Sequence, residues 1–170
     1  ISMHDYLTGL YNRFYFEKEM LAIDNDGLDA VGLIVCDVDG LKLINDNHGH
    51  EAGDQLLRHC SQVLKTCFKR DEIVSRIGGD EFTVIIKNCT IQKLETSAED
   101  LRLALIQHNQ SKPPYPLSLS LGYALKASPE LKMRDVFREA DNLMYAEKPQ
   151  QRRSFKKLYR SLKIPSAHSN

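Results

Sequence analysis

Residues 73–86, "IVSRIGGDEFTVII", contain two short stretches typical of β-strands, joined by two glycines and two acids. The stretches cover 73–77 and 82–86, and the short, glycine-containing connection between them indicates a β-hairpin. Because the strands of a hairpin run antiparallel, the sheet that holds them is mixed or antiparallel rather than doubly wound. The same segment puts Asp80 and Glu81 at the hairpin turn.

Further strands and helices are predicted on both sides of this hairpin. Residues 31–36, "VGLIVC", form a continuous apolar run typical of a buried strand, and residues 117–124 alternate like a strand with one buried face. Apolar residues at helical spacing predict helices at 51–68, 91–109 and 133–148. The last helix is expected to end at Pro149. This order predicts an α/β sandwich of two or three layers around a central mixed, mostly antiparallel sheet.

The composition is that of a globular domain and excludes several classes of protein. Lys plus Arg balance Asp plus Glu at 23 each, so no general nucleic-acid or membrane surface is indicated. No apolar run approaches the ~20 residues of a membrane span. The cysteines lack the spacing of a zinc site and are interpreted as reduced core thiols of a cytoplasmic protein. They are Cys36, Cys60, Cys67 and Cys89.

The chain begins at Ile1, without an initiator methionine. We therefore expect it to be part of a longer polypeptide, whose other parts have room for membrane spans and further domains.

Acidic residues stand at the ends of two predicted strands. Asp37 and Asp39 follow the apolar run, while Asp80 and Glu81 lie at the hairpin turn. If the strand continues, Asp37 and Asp39 point to the same side, and neighbouring strands would bring Asp37 close to Asp80. Carboxylates with few other protein ligands suit Mg²⁺, which takes its remaining ligands from water and substrate phosphates. Each acid alone is more often a solvated strand end, so the hypothesis depends on the combination.

Five motifs carry a resemblance to a known family. "RIGGDEF" at 76–82 resembles the signature of the GGDEF domains, the diguanylate cyclases that condense two GTP into cyclic di-GMP. The other matching segments are "HDYLTGLYNRFYF" (4–16), "DVDGLKLINDNHGHEAGDQLL" (37–57), "SLSLGYA" (118–124) and "ADNLMYAEK" (140–148). The resemblance covers nearly everything from His4 to Arg153. It implies a palm-like nucleotide-cyclase fold, with a GGDEF domain over 1–153 and a basic C-terminal tail or linker over 154–170.

The resemblance assigns a metal site to the acids at the strand ends. Asp37, the backbone carbonyl of Val38 and Asp80 would bind one or two Mg²⁺ ions, with Mn²⁺ as an alternative. Glu81 lies next to them and belongs to the same expected metal site. Two metal ions about 4 Å apart hold a triphosphate and lower the pKa of an attacking hydroxyl. Asp37, Asp80 and Glu81 are thus the expected catalytic residues, with Asp80 as the family's general base for the 3′-hydroxyl of GTP.

The same resemblance implies a set of phosphate-binding residues. Lys42, Lys148 and Arg152 would contact the phosphates with their side chains. The backbone amides of Gly40 and Leu41 would donate to phosphate oxygens, as turns often do.

Base recognition and the glycine turn complete the expected substrate site. Asn45 and Asp54 would read guanine, with His50 nearby. Adenine lacks the donor pair that a carboxylate accepts from guanine, so Asp54 favours GTP over ATP. Outside that role, Asp54 would be a helix N-terminal acid favoured by the helix dipole. Gly78 and Gly79 leave room for the nucleotide and permit the tight turn.

Two segments depart from the family pattern. "KRDE" at 69–72 stands where the family's product-inhibition site has R-x-x-D. Lysine does not reproduce the planar bidentate contact of arginine, so weak or absent feedback inhibition is expected through Lys69 and Glu72.

The second departure is "MYAEKPQQRRS", where the family has M-Y-x-A-K-x-x-G-R. Glu147 would oppose phosphate binding if it faced the ligand, and the proline and missing glycine leave open whether Arg152 or Arg153 makes the contact. Residues 150–163 hold six basic residues and no acid. A solvated tail or linker is the favoured interpretation of this stretch, ahead of a segment that binds acidic partners or a membrane surface.

The leading hypothesis is a Mg²⁺-dependent diguanylate cyclase that acts as a homodimer, because each chain would bind one of the two GTP molecules. An N-terminal sensor domain outside this sequence is expected to control pairing. The alternative is a catalytically quiet GTP-binding module that regulates an attached or partner domain. A cyclic di-GMP receptor is disfavoured by "KRDE". We expect a cytoplasmic location, or the cytoplasmic part of a membrane-anchored protein, with no nucleic-acid partner and no membrane contact by this fragment.

Overall fold

The central element is a four-stranded sheet in which each strand pairing is antiparallel. The structure, a computed structural model, describes residues 1–69, 71–162 and 165. In chain order the elements are α1 (Arg13–Asn25), β1 (Val31–Val38), α2 (Leu41–His48), α3 (His50–Cys67), β2 (Ile73–Arg76), β3 (Glu81–Ile86), α4 (Ile91–Gln110), β4 (Leu119–Lys126) and α5 (Met133–Ser161). The predicted α/β sandwich and its hairpin are confirmed, and the sheet is antiparallel rather than mixed.

The strand order is β2-β3-β1-β4, so β1 lies between the hairpin and β4. The register pairs Asp37 with Glu81 on one side and with Ser120 on the other. The C-terminal end of β1 therefore lies directly beside the turn between β2 and β3. The fold thus brings together acids that are more than forty positions apart in the sequence.

Both faces of the sheet are covered by helices, which gives three layers. Every residue of β1 is buried, and its side chains alternate between the two faces. One face, with Ile34 and Cys36, packs on the buried sides of α3 and α4. The other face, with Leu33 and Val35, packs on α1 and the first half of α5. This two-sided burial explains the unbroken apolar run in the sequence.

Helix α5 approaches β4 unusually closely, and glycine permits this. A Cβ atom at Gly122 would lie 2.2 Å from the Ala140 carbonyl oxygen and 2.4 Å from the Met144 nitrogen. Backbone atoms of a helix have little freedom to give way, so a side chain at Gly122 would push α5 off the sheet.

The four cysteines are free, as predicted, and Cys36, Cys60 and Cys89 are buried. Burial raises the pKa of the Cys60 thiol well above its ordinary value, so this thiol stays protonated. No helix in the described part of the chain is long and apolar enough to cross a bilayer.

Two predicted features of the helices were incomplete or wrong. Helix α2 was not predicted, since it has only eight residues and one buried side chain, Ile44. The prediction that the last helix ends at Pro149 was wrong, because α5 continues through this proline to Ser161. The continuation is stabilised by Phe155, which is 2% exposed and belongs to the core.

Residues 154–161 are therefore part of a packed helix rather than a solvated tail. One turn beyond Phe155, the Tyr159 hydroxyl lies 2.8 Å from His48 Nε2, at the end of α2. The expected boundary between residues 153 and 154 falls inside α5. The parts of the expected tail at 163–164 and 166–170 lie outside the described residues.

Replacing Phe155 with alanine tests this packing. We expect Phe155→Ala to lower the free energy of unfolding by about 3 kcal/mol, because a buried aromatic ring is lost and a cavity remains. Urea denaturation followed by circular dichroism measures the effect. The control is Ser154→Ala at an exposed neighbouring position, which should change the free energy by less than about 0.5 kcal/mol. Equal, small effects of both substitutions would mean that this segment does not pack on the domain.

Candidate active site

Backbone hydrogen bonds fix the hairpin turn and join it to the end of β1. The Val38 amide at the end of β1 donates to the Asp80 carbonyl oxygen at 2.9 Å. Within the hairpin, the Ile77 amide donates to the Glu81 carbonyl oxygen at 2.9 Å. Asp37 is 5% exposed, whereas Asp80 and Glu81 are half-buried. The predicted meeting of Asp37 with the acids of the turn is thus found in the structure.

Burial and the charge of Asp37 raise the proton affinity of the two acids at the turn. Burial and the neighbouring charge of Asp37 raise the pKa of Asp80 above its ordinary value. Burial, Asp37 and Asp141 likewise raise the pKa of Glu81. Negative charge is therefore concentrated at this edge of the sheet, and a cation placed there would be stabilised.

Lys148 supplies one such cation. Its Nζ atom lies 2.5 Å from Asp37 Oδ2, and both side chains are largely buried. Burial lowers the pKa of Lys148, but the hydrogen bond and charge of Asp37 outweigh it, so the net pKa is raised. Asp37 Oδ1 is buried and has no hydrogen-bond partner. One oxygen of this carboxylate thus has a cationic partner, while the other is available for a ligand.

The donor set suits a hard divalent cation such as Mg²⁺. A buried carboxylate oxygen without a partner is a costly arrangement that a metal ion would relieve. Asp37, Asp80 and the carbonyl of Val38 offer the few oxygens that Mg²⁺ takes from protein when phosphates and water supply the rest. Within the described residues no group of three or more His, Cys, Asp or Glu side chains forms a complete metal site by itself.

Arg76 stabilises the turn, a role that was not predicted from the sequence. Its Nε and Nη2 atoms donate to the Gly79 carbonyl oxygen at 3.2 and 2.9 Å. Its Nη1 donates to both carboxylate oxygens of Asp5, at 3.1 and 3.3 Å. The hydroxyl of Thr8 also donates to Asp5, at 2.7 Å. The sequence contained an indication of this role, since Asp5, Thr8 and Arg76 all lie in segments that match the family.

Asp39 differs from Asp37 in its partners, which are two hydroxyl groups rather than a lysine. Its carboxylate accepts hydrogen bonds from the Ser118 hydroxyl at 2.7 Å and the Ser120 hydroxyl at 2.6 Å. Burial raises the pKa of Asp39 to about 6, although these two hydrogen bonds act in the opposite direction. Asp39 thereby fixes the start of β4 against the turn that follows β1.

A cavity of about 500 Å³ opens beside Asp80, between the start of α2 and the second half of α5. Of the predicted phosphate-binding residues, the cavity is lined by Gly40, Leu41, Lys42, Lys148 and Arg152. Lys42 is exposed and forms an ion pair with Asp46 at 2.7 Å. The structure thus gathers the predicted cations and the residues Gly40 and Leu41 around one cavity next to the acids.

The predicted guanine-reading residues lie elsewhere on α2 and α3, outside the lining of this cavity. Asn45 Oδ1 is buried without a hydrogen-bond partner and faces Gly53, where a Cβ atom would come within 1.8 Å of it. Asp54 is half-buried, and His50 is exposed at the start of α3. Gly78 and Gly79 are exposed at the hairpin turn. The base-reading roles of Asn45, His50 and Asp54 stay predictions.

The altered segment at 146–153 does not disrupt the cavity. Glu147 points away from it toward α4, where Arg102 forms two hydrogen bonds with its carboxylate, at 2.9 and 2.8 Å. Arg152 lines the cavity, whereas Arg153 is exposed and does not. The charge of Glu147 is therefore balanced by a partner forty-five positions away in the sequence.

The segment expected to replace the product-inhibition site is only partly described. Lys69 is exposed and Glu72 is half-buried, while Arg70 lies outside the described residues. Weak or absent feedback inhibition stays a prediction.

A double-mutant cycle tests whether Arg102 and Glu147 are coupled. We expect Arg102→Ala and Glu147→Ala to show a coupling of about 1 kcal/mol in the free energy of unfolding, since the pair is bidentate but partly exposed. Urea denaturation of both single variants and the double variant provides the measurement. The reference cycle uses Arg13→Ala and Glu17→Ala, whose exposed pair should couple more weakly. Additive effects at positions 102 and 147 would contradict the assignment.

Comparisons with known proteins agree with the motifs. The family model described as "Diguanylate cyclase, GGDEF domain" matches residues 2–154. An uncharacterized membrane protein of Staphylococcus haemolyticus is 32% identical over 152 residues, which is 85% of this chain and 43% of the relative. A second, from Staphylococcus epidermidis, is 31% identical over 156 residues, covering 88% and 44%. The chain spans less than half the length of these relatives.

Solved structures resemble the fold closely. The GGDEF domain of FimX from Pseudomonas aeruginosa superposes with a TM-score of 0.79 at 22% identity, covering 88% of this chain and 96% of that domain. The GGDEF domain of DgcB from Caulobacter crescentus, solved in complex with c-di-GMP, has a TM-score of 0.77 at 27% identity. That match covers 89% of this chain and 93% of the DgcB domain.

Proposed function

Because the chain belongs to the GGDEF family, we propose that it is a diguanylate cyclase domain, which converts two GTP into cyclic di-GMP and two pyrophosphates. The observation that carries the proposal is the buried Asp37, with one unpartnered oxygen, beside Asp80 and a cation-lined cavity. Buried unpaired carboxylate oxygens are costly, and they persist mainly where a ligand completes them.

The cavity would hold the triphosphate of one GTP. Lys148 can exchange its Asp37 partner for a phosphate oxygen, and Arg152 offers a planar donor group to the same anion. The amides of Gly40 and Leu41 would donate at the start of α2, where the helix dipole favours negative charge. Lys42 adds a further cation from the opposite side of the cavity.

Asn45, His50 and Asp54 would select the base. Asp54 accepts from the N1–H and N2–H₂ groups of guanine, which adenine lacks, so the proposal includes a preference for GTP. The buried, unpartnered Asn45 Oδ1 supports a ligand contact at this position.

In each of two transfers, the 3′-oxygen of one GTP would attack the α-phosphorus of the other, and the bond to pyrophosphate would break. Asp80 is proposed to accept the 3′-hydroxyl proton, the role that the resemblance of its motif to the family's signature implies. Mg²⁺ held by Asp37, Asp80 and the Val38 carbonyl, with Glu81 beside them, would balance the charge on the phosphates and activate the hydroxyl. Mn²⁺ would serve the same ligands.

Two chains are needed because the product contains two nucleotides and each site would hold one. We propose a homodimer with the two cavities facing each other across a two-fold axis. The curated relatives are named membrane proteins and are more than twice as long as the matched segment. We therefore propose that the domain lies on the cytoplasmic side of a membrane-anchored protein whose N-terminal part controls pairing.

Substitution of Asp80 by asparagine tests the proposal. We expect cyclic di-GMP formation from GTP and Mg²⁺ to fall by about 10²–10⁴-fold, because the shape is kept while the proton acceptor and a metal ligand are lost. The chain is fused to a dimeric coiled coil, and nucleotides are separated by chromatography. Asp71→Asn, an exposed acid just before β2, serves as the matched control and should retain activity.

The outcomes separate the two candidate functions. Product from the parent chain and the control but not from Asp80→Asn supports the cyclase and the role of the turn. GTP binding without product, even in the forced dimer, would instead support the quiet regulatory GTP-binding module.

A further inference from the structure

The extension of α5 beyond Pro149 brings a further cation, Lys156, to the candidate phosphate cavity, which Lys42, Lys148 and Arg152 also line. Lys148, Arg152 and Lys156 all line this cavity, at intervals of four residues. Four residues advance a helix by about 6 Å and turn it by about 40° beyond a full turn, so these side chains lie on one side of the helix. The matched motifs account for Lys148 and Arg152 but not for Lys156.

Phe155 holds this part of the helix in place. Its ring packs against Gly40, at which a Cβ atom would lie 2.0 Å from the ring, and Gly40 has a φ angle of +75°. The extension therefore contacts the turn before α2, whose residues Gly40 and Leu41 line the cavity. The hydrogen bond between Tyr159 and His48 joins the next turn of α5 to the end of α2. Lys156 thus lies between the buried Phe155 and the partly buried Tyr159, which hold this part of α5 at the cavity.

Several other charged groups of the cavity already have partners. Lys42 is paired with Asp46, Lys148 with Asp37, and Asp39 with two serine hydroxyls. Lys156 is exposed and forms no ion pair with any described residue. Its neighbour Lys157 is also exposed but does not line the cavity. An unpaired ammonium at the edge of a cation-lined cavity is suited to a polyphosphate.

We propose that Lys156 is a further substrate-binding residue, which contacts the β- and γ-phosphates of GTP. The inference rests on the proposed function and deepens it. The reacting α-phosphate has to lie near Asp80, beside Lys148, and Lys156 lies two helical turns further along α5. In this proposal its ammonium meets the part of the triphosphate that leaves as pyrophosphate.

The test measures nucleotide binding to the 170-residue chain by isothermal titration calorimetry with GTP and with GMP, in the presence of Mg²⁺. Lys156→Ala should weaken GTP binding about three- to tenfold, since one charge-assisted contact is lost. GMP binding should stay unchanged, because GMP lacks the phosphates that Lys156 contacts. Lys156→Arg should keep most of the affinity, and Lys157→Ala is the matched control. The loss should shrink at high salt because Lys156 is exposed.

Selective loss of GTP affinity in Lys156→Ala, with GMP binding and Lys157→Ala unaffected, supports the proposal. Equal GTP affinities of the Lys156→Ala and Lys157→Ala variants would overturn it and leave the proposed function standing. A parallel loss of GMP affinity would overturn it too, since it would indicate a structural effect. If the parent chain bound neither nucleotide, both this inference and the proposed function would fail.

Discussion

The antiparallel pairing of β1 with β3 is the constraint on which the candidate site depends. It sets Asp37 opposite Glu81, and it bonds the Val38 amide to the Asp80 carbonyl. Because side chains alternate along a strand, a slip of one residue would turn Asp37 to the opposite face and place Val38 among the acids. The register is fixed by burial of both faces of β1, so the hydrophobic core determines where the carboxylates meet.

Partners within the chain balance part of the charge that is concentrated in this way. Lys148 pairs with Asp37, while Arg76 pairs with Asp5 and also binds the Gly79 carbonyl of the turn. Two serine hydroxyls satisfy Asp39. After these pairings Asp37 Oδ1 is still without a partner, and Asp80 and Glu81 keep raised pKa values. The residual negative charge lies beside a cavity lined by lysine and arginine, which is the electrostatic pattern of a site for a metal–polyphosphate ligand.

Much of this arrangement could be predicted from the sequence, because it depends on local patterns. The glycine turn between two β-type stretches predicted the hairpin, and helical spacing of apolar residues predicted α3 and α4. The contacts that could not be predicted join residues that are far apart in the sequence. The partner of Glu147 lies on α4, and the partners of Asp39 lie on β4, so no local rule indicates them. Helix α2 was not predicted because its eight residues bury only Ile44, which is too few for a recognisable helical periodicity.

The course of α5 beyond Pro149 illustrates how tertiary packing overrides a local rule. Proline inside a helix costs about 3 kcal/mol, whereas burial of an aromatic side chain contributes about 1.5–3 kcal/mol. The buried ring of Phe155, with the partly buried Tyr159, is therefore large enough to offset the cost of Pro149. A glycine in the family's position would favour the end of the helix, and its absence lets the helix continue. The missing glycine and the packing of Phe155 thus let α5 continue in spite of Pro149, and Arg152 still lines the cavity. The cavity therefore keeps its Arg152 lining although the segment around it departs from the family pattern.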